Sequence, residues 1–230
     1  MTPQPDTRSI APDADQGADR AMTTRRYDPE AARDDILDAA ERLFAAKGFD
    51  GVSTATIAKE AGVSQSQIHY HFDTKKKLWD KVFERRFADY FAAQSALLDD
   101  GEIDDMARMR DSIVSYFRFS EANPDYVRLL GRAQLDAGEG ADVEGEEAAA
   151  LGDQLMRKGS EVIVAAQEAG AIRDDVRPDF VIIGFLSLVA HWFLGGRLFL
   201  GEAGQDEERD AHDREYLDFI IKVYLRGIAP

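Results

Sequence analysis

TATIAKEAGVSQSQIHYHF, residues 54 to 72, reads as two short helices joined by a tight turn. Thr54 stands where a hydroxyl can cap the first helix by accepting one of its unpaired backbone N–H groups. Ile57, Ala58 and Ala61 then fall on one face at helical spacing. Gly62 is the residue best suited to leave a helix in the left-handed conformation, and Val63 plugs the gap between the two segments. Ser64 opens the second helix, and Ser64-x-x-Gln67 fits a capping box. Ile68 turns inward, so Gln65, Gln67, His69 and Tyr70 are predicted to face out. The unit is a helix-turn-helix, whose second helix can enter the major groove of DNA. Amide, imidazole and phenol groups on its outer face suit base edges and phosphates.

The flanks extend the pattern. Before it lies ARDDILDAAERLFAAKGFDGVS (32–53), and after it HFDTKKKLWDKV (71–82). Asp28 and Pro29 give a cap and a first helical residue. Ile36, Leu37, Ala40, Leu43 and Phe44 form an apolar stripe, which Gly48 ends; Phe49 and Val52 are expected in the core beneath. Asp73-Thr74 makes a turn, and Lys75 opens a further helix through Leu98. Lys75, Lys76 and Lys77 oppose the macrodipole at that helix start. Phosphates would neutralise them; an exposed charge run is the other reading.

Together these segments resemble the N-terminal DNA-binding domain of TetR-family transcriptional regulators. The resemblance implies an all-α fold with a three-helix helix-turn-helix domain (28–74) and a larger helical ligand-binding and dimerisation domain (75–230). It implies a homodimer, most simply a repressor, on double-stranded operator DNA with an inverted repeat, released by a small-molecule effector. The expected DNA contacts are Thr54, Ser64, Gln65, Gln67, His69, Tyr70 and Lys75, with His71 and Phe72 in support. The commonest family pattern has Tyr, His, Tyr where this chain has His69, Tyr70 and His71.

Composition bounds the alternatives. The 230 residues include no cysteine, which excludes a disulfide framework and thiolate zinc sites and fits a reducing cytoplasm. Residues 1–27 lack an apolar core segment and read as a disordered tail rather than a secretory signal. Arg25 and Arg26 there form either a basic arm for DNA or part of a solvated tail. Formal net charge is −16, but it is uneven: residues 22–80 carry −1 and residues 101–230 carry −12. The acidity thus sits away from the proposed DNA face. A high-salt cytoplasm and acidic codon bias both explain it. No nucleophile elbow, phosphate loop, dinucleotide fingerprint or zinc-protease motif occurs, so neither an enzyme nor a cofactor is expected. His69 and His71, two apart on a helix, do not share a face and make a poor metal pair.

The rest of the chain stays helical. Segments 104–121, 148–169 and 214–226 show apolar stripes, Asn123-Pro124 starts another helix, and 138–147 and 205–210 read as polar breaks. Phe180 to Leu200 is long enough to span a bilayer. His191, Gly195, Gly196 and Arg197 interrupt it, and basic flanks are missing. A helical interface with a second copy is the preferred reading, as the family resemblance also implies, and no membrane partner is expected. Phe91, Tyr116, Phe117, Tyr126 and Trp192, with Phe193, would line an apolar ligand pocket or simply fill the core.

Overall fold

Asp28 starts the first helix as its sequence requires. Its carboxylate accepts from the backbone N–H groups of Glu30 and Ala31 at 3.0 and 3.3 Å, and Pro29 takes the first helical position. The computed structural model describes residues 28–136, 145–200 and 206–230, and among these all regular structure is helical. Helix α1 (Pro29–Lys47) ends at Gly48, whose φ of 74° favours glycine. Helix α2 (Thr54–Ala61) is capped by Ser53, which accepts from the Thr56 N–H at 3.1 Å. The expected cap, Thr54, is instead the first helical residue, because the chain leaves its extended conformation one residue earlier. Gly62 closes α2 in the left-handed region, and α3 (Gln65–Phe72) follows.

These three helices are not self-sufficient. Ile36, Leu37, Phe44, Ile57, Ile68 and Phe72 are buried together with Leu78, Trp79, Val82 and Phe83 of α4 (Lys75–Asp99). Phe44 and Phe49 meet the Trp79 ring edge-on at 5.0 and 5.3 Å. Such aromatic pairs add about 0.5–1.5 kcal/mol beyond the area they bury. Tyr126, Leu129 and Ala133 of α6 (Pro124–Asp136) close the same core from the far side.

A second core lies among α5 (Asp105–Ala122), α7 (Glu146–Glu168), α8 (Pro178–Leu194) and α9 (Asp206–Ile228), with Tyr90 of α4 reaching into it. The apolar run 180–200 is not one helix. It breaks at Gly195 and continues as a 3-10 turn, Gly196–Leu200. The break lets Arg197 reach Asp213, a carboxylate only 2% exposed that also accepts from the Trp192 indole N–H at 2.8 Å. Helix α9 begins at Asp206, earlier than expected. Its first turns are charged, a pattern easily read as a break although Glu and Arg are good helix formers on an exposed face. The expected tail 1–27 and most of the expected loop 138–147 lie outside the described residues, while Glu146 and Glu147 already belong to α7. Among the described residues, no helix is long and apolar enough to cross a membrane.

Candidate nucleic-acid interface and ligand cavity

Helix α3 is amphipathic by phase. Ile68 and Phe72 are buried, while Gln65, Ser66, His69 and Tyr70 are exposed, Tyr70 to 79%. Gln65 donates from Nε2 to the Thr54 hydroxyl at 2.9 Å, which joins the start of α3 to the start of α2. Ser53 and Thr56 hydroxyls, 2.9 Å apart, flank that junction. Sequence reasoning passed over both, although hydroxyls at a helix start are the signal for phosphate-facing groups. Ser64 is exposed and begins the capping box as predicted. Gln67 behaves differently from its expected outward role. It is half-buried, and its Oε1 accepts from the Ser64 N–H at 2.8 Å and the Ser64 hydroxyl at 3.0 Å. The cap it completes competes directly with base reading for the same amide.

The lysines at the start of α4 all have partners within the chain. Lys75 is half-buried, donates to the carbonyls of Phe49 and Val52 at 3.0 and 3.1 Å, and lies over the Phe49 ring at 4.1 Å. It braces the α1–α2 connection against α4, where the sequence suggested a phosphate contact. Lys76 pairs with Asp80, and Lys77 with Asp73 at 2.8 Å. The Lys77 ammonium holds the Asp73 carboxyl below its usual range. Asp73 itself, at φ 62° and ψ −63°, is the one non-glycine residue with positive φ among those described. With the Thr74 N–H donating to the Phe72 carbonyl at 2.6 Å, it makes a γ-turn between α3 and α4.

A cavity of about 320 Å³ opens between α4, α5, α6, α7 and α8. Of the aromatics expected there, Tyr116 and Tyr126 line it. Phe91, Phe117 and Trp192 do not: Phe91 is half-buried outside its lining, Phe117 is fully buried with its ring 4.9 Å from Phe193, and Trp192 stacks on Tyr216 at 3.9 Å. Aromatic identity alone could not tell which face of each helix turns inward. The missed lining includes Phe87, Tyr90, Gln94, Arg108, Ser112 and Phe185. Gln94 falls in the i, i+4 row Tyr90–Gln94–Leu98, and Ser112 in the row Arg108–Ser112–Tyr116. A polar residue inside an apolar row was the available signal. Burial raises the Tyr90 phenol far above its ordinary range. Among the described residues, no group of three or more His, Cys, Asp or Glu could hold a metal ion.

A helix-turn-helix whose second helix has an acid-free outer face, joined by one long helix to a helical domain with a cavity, defines a DNA-binding regulator. The family model for bacterial regulatory proteins of the tetR family matches residues 36–82, and the model for the C-terminal domain of SbtR-like transcriptional regulators matches residues 112–192. The chain belongs to the TetR family, a family of transcriptional regulators rather than enzymes. It is 26% identical over 213 residues to the HTH-type transcriptional repressor NicS of Pseudomonas putida, a match covering 91% of this chain and 98% of that one. The repressor DhaR of a Mycobacterium species is 23% identical, over 86% of this chain and 92% of its own. Among solved structures, the ketosteroid regulator KstR2 of Mycobacterium tuberculosis superposes with a TM-score of 0.66 at 18% identity, covering 86% of this chain and 95% of that one.

Proposed function

We propose that the chain is a repressor that binds an inverted-repeat operator as a homodimer and leaves it when a small molecule fills the cavity. One observation carries the DNA reading. In a chain of net charge −16, residues 61–72 contain no Asp or Glu, and the outer face of α3 offers only amide, hydroxyl, imidazole and phenol groups. Gln65, His69 and Tyr70 read the groove, with Thr54, Ser64 and the Ser53–Thr56 hydroxyls beside the backbone.

Dimerisation is supported by apolar stripes that one copy leaves in water. Phe180, Ile183, Leu188 and Leu194 on α8 are exposed, as are Phe219 and Val223 on α9. A two-fold protein reads a two-fold site. Release is supported by α6, which belongs to both halves. Its Tyr126 and Leu130 line the cavity, and Arg132 donates to the carbonyls of Ala45 and Ala46 in the last turn of α1, both at 2.8 Å. A ligand that moves α6 therefore shifts the helix on which the DNA-reading unit rests, and a ligand that prefers the shifted form lowers DNA affinity by linkage.

The test is selection of bound duplexes from a random-sequence pool, with light scattering on the same preparation. An inverted repeat and a dimeric mass are expected. The rival is a helix-turn-helix protein that acts only through protein contacts. Absence of any selected motif would favour that rival, and a monomer at micromolar concentration would remove the two-fold reading.

A further inference from the structure

We infer that the cavity takes a neutral, mainly apolar molecule bearing one hydroxyl group, with Gln94 holding that hydroxyl. This rests on the cavity being the effector site. Gln94 lines the cavity and is 4% exposed. Its Nε2 donates to the Ser112 hydroxyl at 2.8 Å, while its Oε1 is buried with no partner. One helical turn before Ser112 lies Arg108, also in the cavity wall. Its Nη1 donates to Asp105 at 2.8 Å and its Nη2 to the carbonyls of Asp100 and Ile103 at 2.6 and 3.0 Å. Its Nε is buried and unpartnered.

A cavity wall that is mostly aromatic and aliphatic thus carries a lone acceptor and a lone donor. Buried polar atoms left without partners are costly, and proteins rarely keep them without a use. A hydroxyl donates well to the Gln94 Oε1, the open acceptor in this wall. Rotating the Gln94 amide by 180° would leave a donor unpartnered instead, and a hydroxyl satisfies that arrangement equally.

Charge argues for a neutral ligand. The Arg108 guanidinium already has Asp105 as its counter-ion, and Asp153 is a second carboxylate in the lining. An incoming carboxylate would meet both. An incoming ammonium would find Asp153, an exposed carboxylate, but would lose its hydration among rings such as Tyr90 and Phe185. A volume near 320 Å³ is at the small end of the roughly 300–1,000 Å³ usual for ligand sites. A single substituted ring is therefore the right size of probe.

Calorimetry on the full chain with 4-propylphenol, 4-propyltoluene, 4-propylbenzoate and 4-propylbenzylamine tests the inference. Both neutral probes should bind, the phenol about tenfold tighter, as one well-placed neutral hydrogen bond allows. Gln94→Met should remove that gap and leave the toluene analogue unchanged. Equal affinity for the two neutral probes, tightest binding of either charged probe, binding of none, or a gap that survives Gln94→Met would each overturn it. The wild-type comparison decides even if the variant does not fold. Operator binding on the same preparation separates this from the wider reading: a regulator that binds its operator but ignores the phenol keeps its function and loses only this ligand class.

Discussion

Gln65 and Gln67 sit two residues apart on one short helix and face different tasks, because two residues rotate a side chain by about 200°. Gln65 is exposed and steadied by Thr54; Gln67 is tied to the start of its own helix. Gln65→Ala should therefore alter the selected-site motif, at about 1–3 kcal/mol of discrimination for a paired base contact. Gln67→Ala should weaken all sites alike and lower stability by about 1 kcal/mol, as loss of a cap does. Site selection and denaturant unfolding on both variants check the split. The outward phase of Gln65, His69 and Tyr70 was legible once Ile68 was taken as buried. The role of Gln67 was legible too, since the capping box names it, but one amide cannot serve both purposes. Lys75 was not legible. Its acceptors, Phe49 and Val52, lie 26 and 23 residues earlier, and no local pattern predicts such a contact.

Helix α4 spans both cores, and its middle is fixed to α1 by charge. Glu41 is 4% exposed and accepts from Arg85 at 2.8 Å and from Arg86 at 2.9 Å, with Asp38 also on Arg85 at 2.7 Å. Removing a partner from a buried pair leaves charge without compensation. Glu41→Ala should cost about 3 kcal/mol, the low end of the usual range because both arginines keep some exposure. Urea unfolding measures it. Between α8 and α9 the tie is a phenol: Tyr224 donates to the Val181 carbonyl, in space that a side chain at Gly184 would fill. Burial pushes the Tyr224 phenol up to about 12. The folded state thus holds this proton more tightly than the unfolded chain, whose phenol titrates near 10. Its contribution is complete below about pH 10 and is lost as pH rises toward 12. Tyr224→Phe should lower stability at neutral pH and flatten the alkaline decline, seen as unfolding midpoints against pH. Helix starts such as Asp28-Pro29 and Asn123-Pro124 were readable from sequence. The long reach of α9 was not, because charged residues on a solvent face look like a break until packing shows the buried side.

At the scale of the molecule, a formal charge of −16 makes the folded chain repel itself, and pairing two copies adds to the repulsion. Salt at about 1 M shortens the reach of that field to about 3 Å. The melting temperature should therefore climb between low and molar KCl, with a shallow salt slope for operator binding because residues 22–80 are nearly neutral. Calorimetric scans and gel shifts across a KCl series check both. A flat melting profile beside a steep operator slope would remove the high-salt explanation and leave codon bias. Charge says little about how the two ends of the chain communicate; the bend at Asp73 says more. Only Asp73 and Thr74 separate α3 from α4, and the γ-turn leaves them no slack. The joint acts as a crank without backlash, so a swing of α4 must reappear as a swing of α3. Two glycines inserted between Asp73 and Thr74 would give the crank play. The expected product is a regulator that still grips its operator but lets go less completely when the effector arrives, since the α6–α1 contact still carries part of the shift, read by gel shift with and without ligand.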